Sequence, residues 1–304
     1  MKAGVKLGLL HMGVAAALLF GGMSAAGASE TGGTAGPGNS QASSQLVGVS
    51  CASTKFCVAV GYRTTTFFDD RPKPFMEMYD GNSWRLRWAP LSAMETGGLL
   101  VSVSCPTPDF CAAVGSQTRL GESRSLIEVW NGRTWAVDDA SGVPWDSFVS
   151  VSCSSGHFCM AVGSGPYGPR IGNTETIAWN GRYWRKVPSP NPPGYLSVSF
   201  TGVSCTAGNF CEAVGQTLTE HDAPFAMAAG YDGHRWTMQP LPHVAGVLSY
   251  LLSVSCVSRS DCRSVGGVEP NDLIDKPYGL IYDGSRWTND DPGVMSYNGF
   301  GSGL

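Results

Sequence analysis

Ten cysteines are the residues of this 304-residue chain whose spacing most clearly implies chemistry. They form five copies of Cys-x5-Cys, each inside a phrase such as VSCASTKFCVAVG or VSCPTPDFCAAVG. Close cysteine pairs either form disulfides or bind a metal ion. The sequence gives no pair a repeated histidine or carboxylate partner, and the spacing differs from that of zinc sites, so it disfavours a metal.

The amino-terminal segment favours the disulfide interpretation. Lys2 and Lys6 flank the start of a short apolar run, and Ala26-Gly27-Ala28 offers a small-residue cleavage site. This pattern is typical of a secretory signal peptide over residues 1–28; a membrane anchor is the alternative, disfavoured because His11 and several glycines interrupt the run. In an exported protein, an even number of cysteines in local pairs predicts disulfides. The predicted bridges are Cys51–Cys57, Cys105–Cys111, Cys153–Cys159, Cys205–Cys211 and Cys256–Cys262.

Charge and composition narrow the class of partner. The formal net charge is −4, and it becomes −6 once Lys2 and Lys6 are removed with the signal peptide. A mildly acidic protein offers no electrostatic attraction to nucleic acid or to an anionic membrane surface. Residues 29–45 are rich in Gly, Ser and Thr, which predicts a flexible linker before a domain over 46–304.

Enzyme motifs are mostly absent from the sequence. It contains no Gly-x-Ser-x-Gly, no phosphate-binding Gly-Lys-Ser/Thr loop and no His-Glu-x-x-His. The segment EHD at 220–222 could supply a metal ligand or an acid/base group, and a glycosidase could pair two carboxylates such as Asp70 and Glu220. Three adjacent polar residues are weak support, so we predict no catalytic residue, no metal and no cofactor.

The cysteine phrases are part of an internal repeat. The first cysteines follow one another at 48 to 54 residues, and each is followed by a second motif: YDGNSW, WNGRTW, WNGRYW, YDGHRW or YDGSRW. Five such units fill residues 46–290 almost completely, with units beginning near 46, 100, 148, 199 and 251. A long period of this kind indicates a repeat architecture.

Each repeat contains about four short strand-like runs. In the second repeat, LVSVSC alternates apolar and polar residues with the period of two that is typical of a strand. The runs CAAVG, SLIEVW and TWAVD follow, and Asn131-Gly132 favours a tight hairpin between the last two. Four antiparallel strands in tandem repeats predict an all-β β-propeller with five four-stranded blades and one disulfide in each. We expect the tail PGVMSYNGF or the segment before Val47 to supply an edge strand that closes the ring.

The order of features resembles kelch and galactose-oxidase-type propellers, in which a small-residue strand ending in glycine precedes a turn and a Trp. The AVG triplets stand at 59–61, 113–115, 161–163 and 213–215, with Ser264-Val265-Gly266 as the departure, and the aromatic positions are Trp84, Trp135, Trp184, Trp236 and Trp287. The chain is more similar still to secreted, disulfide-bearing propellers of actinobacteria. This resemblance covers the mature domain and implies an architecture but no catalytic residue.

Propeller topology sorts the loops onto two faces. First-to-second and third-to-fourth connections share one face, while the five long, dissimilar segments share the other, which we call the variable face. Binding residues are concentrated on variable loops held by a rigid scaffold, although most single charges there are simply solvated. The predicted binding residues are Asp69, Asp70, Arg71, Arg119, Arg124, Tyr167, Arg170, Glu220, His221, Asp222, Asp272 and Asp275, with Glu122, Glu269 and Tyr278 nearby.

The sequence therefore predicts a secreted, non-catalytic binding module, extracellular or cell-wall associated, that acts as a protein-interaction scaffold. A carbohydrate-binding, lectin-like propeller is the alternative, but a lectin would repeat its ligand residues in several blades, and the repeated tryptophans are better explained by packing between blades. A glycoside-acting, sialidase-like enzyme is the second alternative. The DGxxW segments superficially resemble sialidase Asp-boxes, yet no arginine triad accompanies them. We expect a monomer, with an extracellular protein or a cell-wall glycan as partner.

Overall fold

The computed structural model describes residues 42–64, 71–138, 147–165, 172–207, 209–219, 223–242, 248–269 and 276–290. These residues form five antiparallel sheets, each built from four strands that are consecutive along the chain. This is the predicted set of five β-propeller blades. Within the described part, no helix has the length and apolar character needed to cross a membrane.

The blades are numbered in chain order. Blade 1 contains β1 (Ser43–Ser53), β2 (Phe56–Thr64), β3 (Lys73–Tyr79) and β4 (Trp84–Trp88). Blade 2 contains β5 (Gly97–Thr107), β6 (Phe110–Arg119), β7 (Glu122–Trp130) and β8 (Trp135–Val137). Blade 3 contains β9 (Ser147–Ser155), β10 (Phe158–Ser164), β11 (Thr174–Trp179) and β12 (Trp184–Val187). Blade 4 contains β13 (Ser197–Thr206), β14 (Phe210–Leu218), β15 (Pro224–Tyr231) and β16 (Trp236–Gln239). Blade 5 contains β17 (Leu248–Ser258), β18 (Asp261–Glu269), β19 (Lys276–Tyr282) and β20 (Trp287–Asp290).

One disulfide joins the first two strands of every blade, as the cysteine spacing predicted. In blade 1, Cys51 and Cys57 lie directly opposite each other in the ladder of β1 and β2. The Cα atoms of the five pairs are 3.9 to 4.1 Å apart, so each bridge spans one hairpin and none joins two blades.

The Asp-Gly and Asn-Gly motifs form the turn between the third and fourth strands. In blade 2, the Oδ1 atom of Asn131 accepts hydrogen bonds from the amides of Arg133 and Thr134, both at 3.0 Å. Gly132 takes a φ of 86°, a left-handed value that glycine adopts without strain. The same turn recurs at Asp80, Asn180, Asp232 and Asp283.

The glycine of the AVG triplet lies where two strands approach closely. The first strand of each blade has a bulge opposite this glycine, and a Cβ atom added to Gly115 would lie only 2.0 Å from the carbonyl oxygen of Leu99. The other four blades have the same close approach at Gly61, Gly163, Gly215 and Gly266. The repeated glycine is therefore required by sheet geometry.

The core consists of four apolar interfaces between successive blades. The first strand of each blade from 2 to 5 packs on the first three strands of the blade before it. At the junction of blades 1 and 2, for example, Val58, Val60 and Met76 pack against Leu100 and Leu126. The other three junctions repeat this arrangement.

Hydrogen bonds between inner strands accompany the apolar packing. The amide of Cys153 in blade 3 donates to the Oγ atom of Ser104 in blade 2 at 2.9 Å. The same bond occurs at all four junctions, because the serine before the first cysteine recurs in every blade. Its regularity fixes the register of one blade on the next.

The sequence predicted that one of two terminal segments would close the ring, and the structure describes only the first of them. Residues Ser43–Leu46 extend β1 along β2 within blade 1, so they add no strand to another blade. The tail PGVMSYNGF lies outside the described residues. Among the described strands, β1 does not pack extensively on β17, β18 or β19, unlike the first strands of the other blades, which pack on the blade before them.

Candidate functional site

Most of the predicted binding residues lie outside the described part of the chain. These are Asp69, Asp70, Tyr167, Arg170, Glu220, His221, Asp222, Asp272 and Asp275. The structure does describe Arg71 just before β3, beside the start of blade 2, and Arg119 and Arg124 at the hairpin between β6 and β7 of blade 2. The junction of blades 1 and 2 is therefore where the predicted site can be built up residue by residue.

The first wall of the junction is a backbone contact between the two blades. The amide of Gly98, at the start of β5, donates to the carbonyl oxygen of Pro72 at 2.6 Å. A Cβ atom added to Gly97 would lie 2.6 Å from the Cα atom of Arg71, so only glycine lets these two segments of the chain approach this closely. The segment that carries the predicted Arg71 is thereby held against blade 2.

The connection from blade 1 to blade 2 forms the second wall. The side chain of Gln117, which is only 5% exposed, accepts from the amide of Ser92 at 3.1 Å and donates to Ser92 Oγ at 2.9 Å. The amide of Thr96 donates to the carbonyl oxygen of Thr118 at 2.9 Å. The middle and the second end of the connection are thus fixed to β6.

A cleft of about 450 Å³ opens between these walls. Its lining residues are Arg63, Lys73, Pro74, Trp88, Ala89, Leu91 and Thr96. Trp88 keeps 53% of its surface exposed, and its ring meets Phe75 edge-on with centroids 6.3 Å apart. The cleft therefore combines two cations with an exposed indole and an apolar wall.

The two cations of the cleft lie directly opposite each other. Arg63 at the end of β2 and Lys73 at the start of β3 are partners in the strand ladder, and both are exposed. Like charges at opposite positions of neighbouring strands are destabilising. An anion bound between them would relieve that repulsion.

Further cations border the same junction on the blade 2 side. Arg119 extends over the connection, with its Nη2 atom 3.5 Å from the sulfur of Met94. Arg124 forms an ion pair with Glu122 at 3.9 Å. Arg119 thus adds a cation to this junction, whereas the charge of Arg124 is paired with that of Glu122.

Two carboxyl groups with strongly altered acidity lie elsewhere, inside the blade interfaces. Burial raises the pKa of Glu128 on β7 to about 8, and it raises the pKa of Glu212 on β14 to about 8 as well. Glu212 accepts from Gln239 Nε2 at 2.9 Å, and Gln239 Oε1 accepts from the indole of Trp287 at 2.6 Å. Both glutamates are fully buried, so neither carboxyl group is exposed to an outside substrate.

Most of the described aromatic rings are packed, and four of them stay well exposed: Trp84, Trp88, Tyr183 and Phe225. Each repeated Trp stacks at a tilt on the aromatic residue before its turn, as Tyr282 does on Trp287 with centroids 5.2 Å apart. Tyr278, which the sequence offered for stacking on a ligand, is 8% exposed and lies in the core between blades 4 and 5. The sequence analysis did not predict Trp88 as a binding residue. It could have been noticed as the second Trp of WRLRW, which has no counterpart in the other repeats.

The comparisons with known proteins leave this chain without a family. No protein-family model and no curated protein matches the sequence. Among solved structures, YCF48 bound to a D1 peptide shares 10% identity at a TM-score of 0.45, over 83% of this chain and 84% of that one. The Hadza microbial sialidase Hz136 shares 9% identity at a TM-score of 0.48, over 80% of this chain and 51% of that one. A fucose-specific lectin from Aleuria aurantia shares 12% identity at a TM-score of 0.47, over 82% of this chain and 76% of that one. Likenesses this distant carry no argument about what the chain binds.

Proposed function

We propose that this chain is a secreted, non-catalytic binding module whose cleft between blades 1 and 2 takes an acidic segment of a partner protein. The observation that carries the proposal is that Arg63, Lys73 and the exposed indole of Trp88 line one cleft in an acidic chain. The five disulfides support an extracellular setting.

Electrostatics favours an anionic ligand. Arg63 and Lys73 face each other across β2 and β3 at a cost to the free protein, and a bound carboxylate would turn that cost into attraction. The neighbouring Arg119 extends the positive potential along the junction, which would steer an acidic chain toward the cleft.

The apolar part of the cleft favours a ligand that carries apolar groups as well as negative charge. Trp88 is held edge-on by Phe75, and Leu91 is held by a connection that is fixed to β6. A rigid, exposed indole beside cations is typical of the residues that contribute most to protein interfaces. A peptide that carries both acidic and apolar side chains fits this pair of features.

The described lining favours binding over catalysis. Thr96 is its one hydroxyl-bearing residue, and its hydroxyl already donates to the carbonyl oxygen of Thr118 at 3.1 Å. The described lining residues include no carboxylate that could serve as a general acid or base. A glycoside-acting site would need two carboxylates there.

An acidic glycan is the second candidate ligand, and the exposed face of Trp88 favours it. An indole that keeps 53% of its surface free can stack on a sugar ring while the cations bind a uronic acid. This version of the function differs from the first in the ligand and not in the site.

The test compares two probes on one set of variants. Fluorescence anisotropy would follow a labelled peptide of alternating Glu and Phe, and a labelled oligogalacturonide, against the oxidised chain. We expect the peptide to bind, and Arg63→Glu and Lys73→Glu each to weaken binding by about tenfold or more. Arg133→Glu is the matched control, because it reverses an exposed charge in a turn on the opposite face.

The results distinguish a protein partner, a glycan partner and a cleft that is not the binding site. Binding of the peptide that is lost in both variants and kept in the control supports a protein partner. Binding of the oligogalacturonide alone, with the same dependence on Arg63 and Lys73, supports the glycan. Binding that Arg133→Glu weakens as much as Lys73→Glu, or no binding of either probe, overturns the cleft as the site.

A further inference from the structure

Blade 1 presents an apolar face to solvent that the other blades bury. Leu46, Val49 and Trp84 are 47, 64 and 46% exposed. At the position of Leu46, the other blades have an apolar residue that is at most 1% exposed. Those counterparts, Leu100, Phe148, Phe200 and Leu251, pack against the preceding blade. The blade 1 face, defined by Leu46, Val49 and Trp84, thus matches surfaces that form an interface in the other blades.

Blade 5 presents the opposite half of the same interface. Val265 on β18 is 58% exposed, whereas the valine at its position in every other blade is fully buried by the next blade. Those valines are Val60, Val114, Val162 and Val214. Ser253 and Ser255 on β17 are exposed beside it. These three residues define the blade 5 face.

The serines of the blade 5 face match the amides of the blade 1 face. At the junction of blades 2 and 3, the hydroxyls of Ser102 and Ser104 accept from the amides of Val151 and Cys153 at 3.1 and 2.9 Å. Ser253 and Ser255 occupy the positions of Ser102 and Ser104, and Val49 and Cys51 occupy those of Val151 and Cys153. A contact between the two faces would therefore repeat this pair of bonds.

A charged residue on blade 5 also finds a suitable counterpart. Arg263 replaces an apolar residue or Glu212 at its position, and Glu212 lies close enough to the next blade to raise the pKa of Tyr282 through its charge. In an equivalent contact, Arg263 would approach Tyr79 and Trp84, which stand at the positions of Tyr282 and Trp287. A guanidinium over aromatic rings is favourable.

We propose that the blade 5 face of one copy packs on the blade 1 face of a second copy, so that the chain associates head to tail. Among the described strands of one chain, blades 1 and 5 lack the packing that joins the other blades, and the residues of both faces are exposed. A second copy is the partner that carries both halves in matching register. Such a heterologous contact joins unlike surfaces and can continue into a ring or a filament. The proposal departs from the monomer expected from the sequence.

Sedimentation and light scattering of the oxidised chain over a range of concentrations test the proposal. We expect dimers or larger species that dissociate on dilution. Val49→Asp and Val265→Asp should each prevent association, because each places a charge in one half of the interface. Both residues are exposed in the single chain, so neither change should disturb folding, which circular dichroism would check. Leu120→Asp, at a side chain that is 88% exposed on a hairpin tip, is the matched control.

Mixing the two variants separates head-to-tail association from other arrangements. Each variant keeps the half that the other has lost, so an equimolar mixture should form a dimer that grows no further. A chain that stays monomeric at all concentrations overturns the proposal. So does a series in which Val49→Asp prevents association and Val265→Asp does not, since this would mean that two blade 1 faces pair. Because Val49 and Val265 do not line the cleft, the outcome is independent of the ligand test.

Discussion

The backbone amide of Cys105 in blade 2 donates to the hydroxyl oxygen of Ser50 in blade 1 at 2.9 Å, and three further serines make the equivalent bond between later blades. Each bond joins residues that are about one repeat apart in the chain and adjacent in space. The interface between two blades is therefore specified by a residue that recurs in both repeats.

Removing one of these hydroxyls should destabilise the domain. In Ser104→Ala, the partly buried amide of Cys153 loses its acceptor, so we expect the free energy of unfolding to fall by about 1 to 2 kcal/mol. Denaturant unfolding followed by tryptophan fluorescence would measure it. The matched control is Ser255→Ala in dilute solution, where the serine is exposed and the change should be within about 0.5 kcal/mol. Equal effects at both positions would contradict this role.

The AVG glycine should tolerate no side chain. In Gly115→Ala, a Cβ atom 2.0 Å from the carbonyl oxygen of Leu99 would force the two strands apart, which we expect to cost about 3 kcal/mol. Thermal unfolding of the purified variants would show the loss. Gly156→Ala is the control, since its nearest neighbour, the Cβ atom of Phe110, is 3.6 Å away. Similar melting temperatures for the two variants would exclude the steric explanation.

Buried Glu128 should make stability depend on pH. Its pKa is about 8 in the fold and close to the ordinary value of 4.5 in the unfolded chain, so the native state holds a proton that the unfolded chain has released. Stability is then greatest below pH 4.5, falls as the pH rises to about 8, and stays level above that. The loss of the Glu128 contribution should be on the order of 5 kcal/mol, and Glu212 should contribute in the same direction.

Unfolding curves of Glu128→Gln across this pH range would check the expectation. The variant should lose less stability than the parent between acid and neutral pH, because its amide does not ionise. Glu122→Gln, at a side chain that is 59% exposed, should leave the slope unchanged. A parent protein that becomes more stable from pH 4.5 to 8 would contradict the assignment of the proton.

Each disulfide should contribute a similar, local increment to stability. Replacing Cys105 and Cys111 together by Ala reopens one short loop, for which the chain-entropy estimate is about 2 kcal/mol. Cys153 and Cys159 close a loop of equal length in the next blade and should give the same loss when replaced. Unfolding of the two double variants beside the oxidised parent measures both values. A much larger loss at one blade would show that its bridge does more than close its own hairpin.

The sequence predicted those features that depend on residues near one another in the chain. The Cys-x5-Cys pairs, the Asn-Gly turn at Asn131 and the alternation along β5 each imply local geometry, and repetition of these signals implied the blades. Glu128 could also have been identified, because it lies inside the apolar run LIEVW. An acid in such a run is unusual enough to indicate a buried carboxyl.

The cleft could not be predicted in the same way. It exists because Gln117 holds Ser92 and because Pro72 meets Gly98, which are contacts between segments about 25 residues apart. The sequence identified the variable face and Arg71, Arg119 and Arg124, but it did not identify Trp88 or Leu91, whose roles depend on how one blade lies on the next. The exposure of Trp84 is non-local too, because every other blade has a predecessor that covers its Trp.

Every cysteine has its partner six positions away in the chain, and no bridge connects one blade with another. If the chain is exported as proposed, oxidation can therefore proceed in order as successive repeats enter an oxidising compartment, before the later cysteines have appeared. A nascent chain of this kind acquires correct bridges without waiting for long-range folding. Its maturation should accordingly depend on an oxidant alone and need little help from a disulfide isomerase.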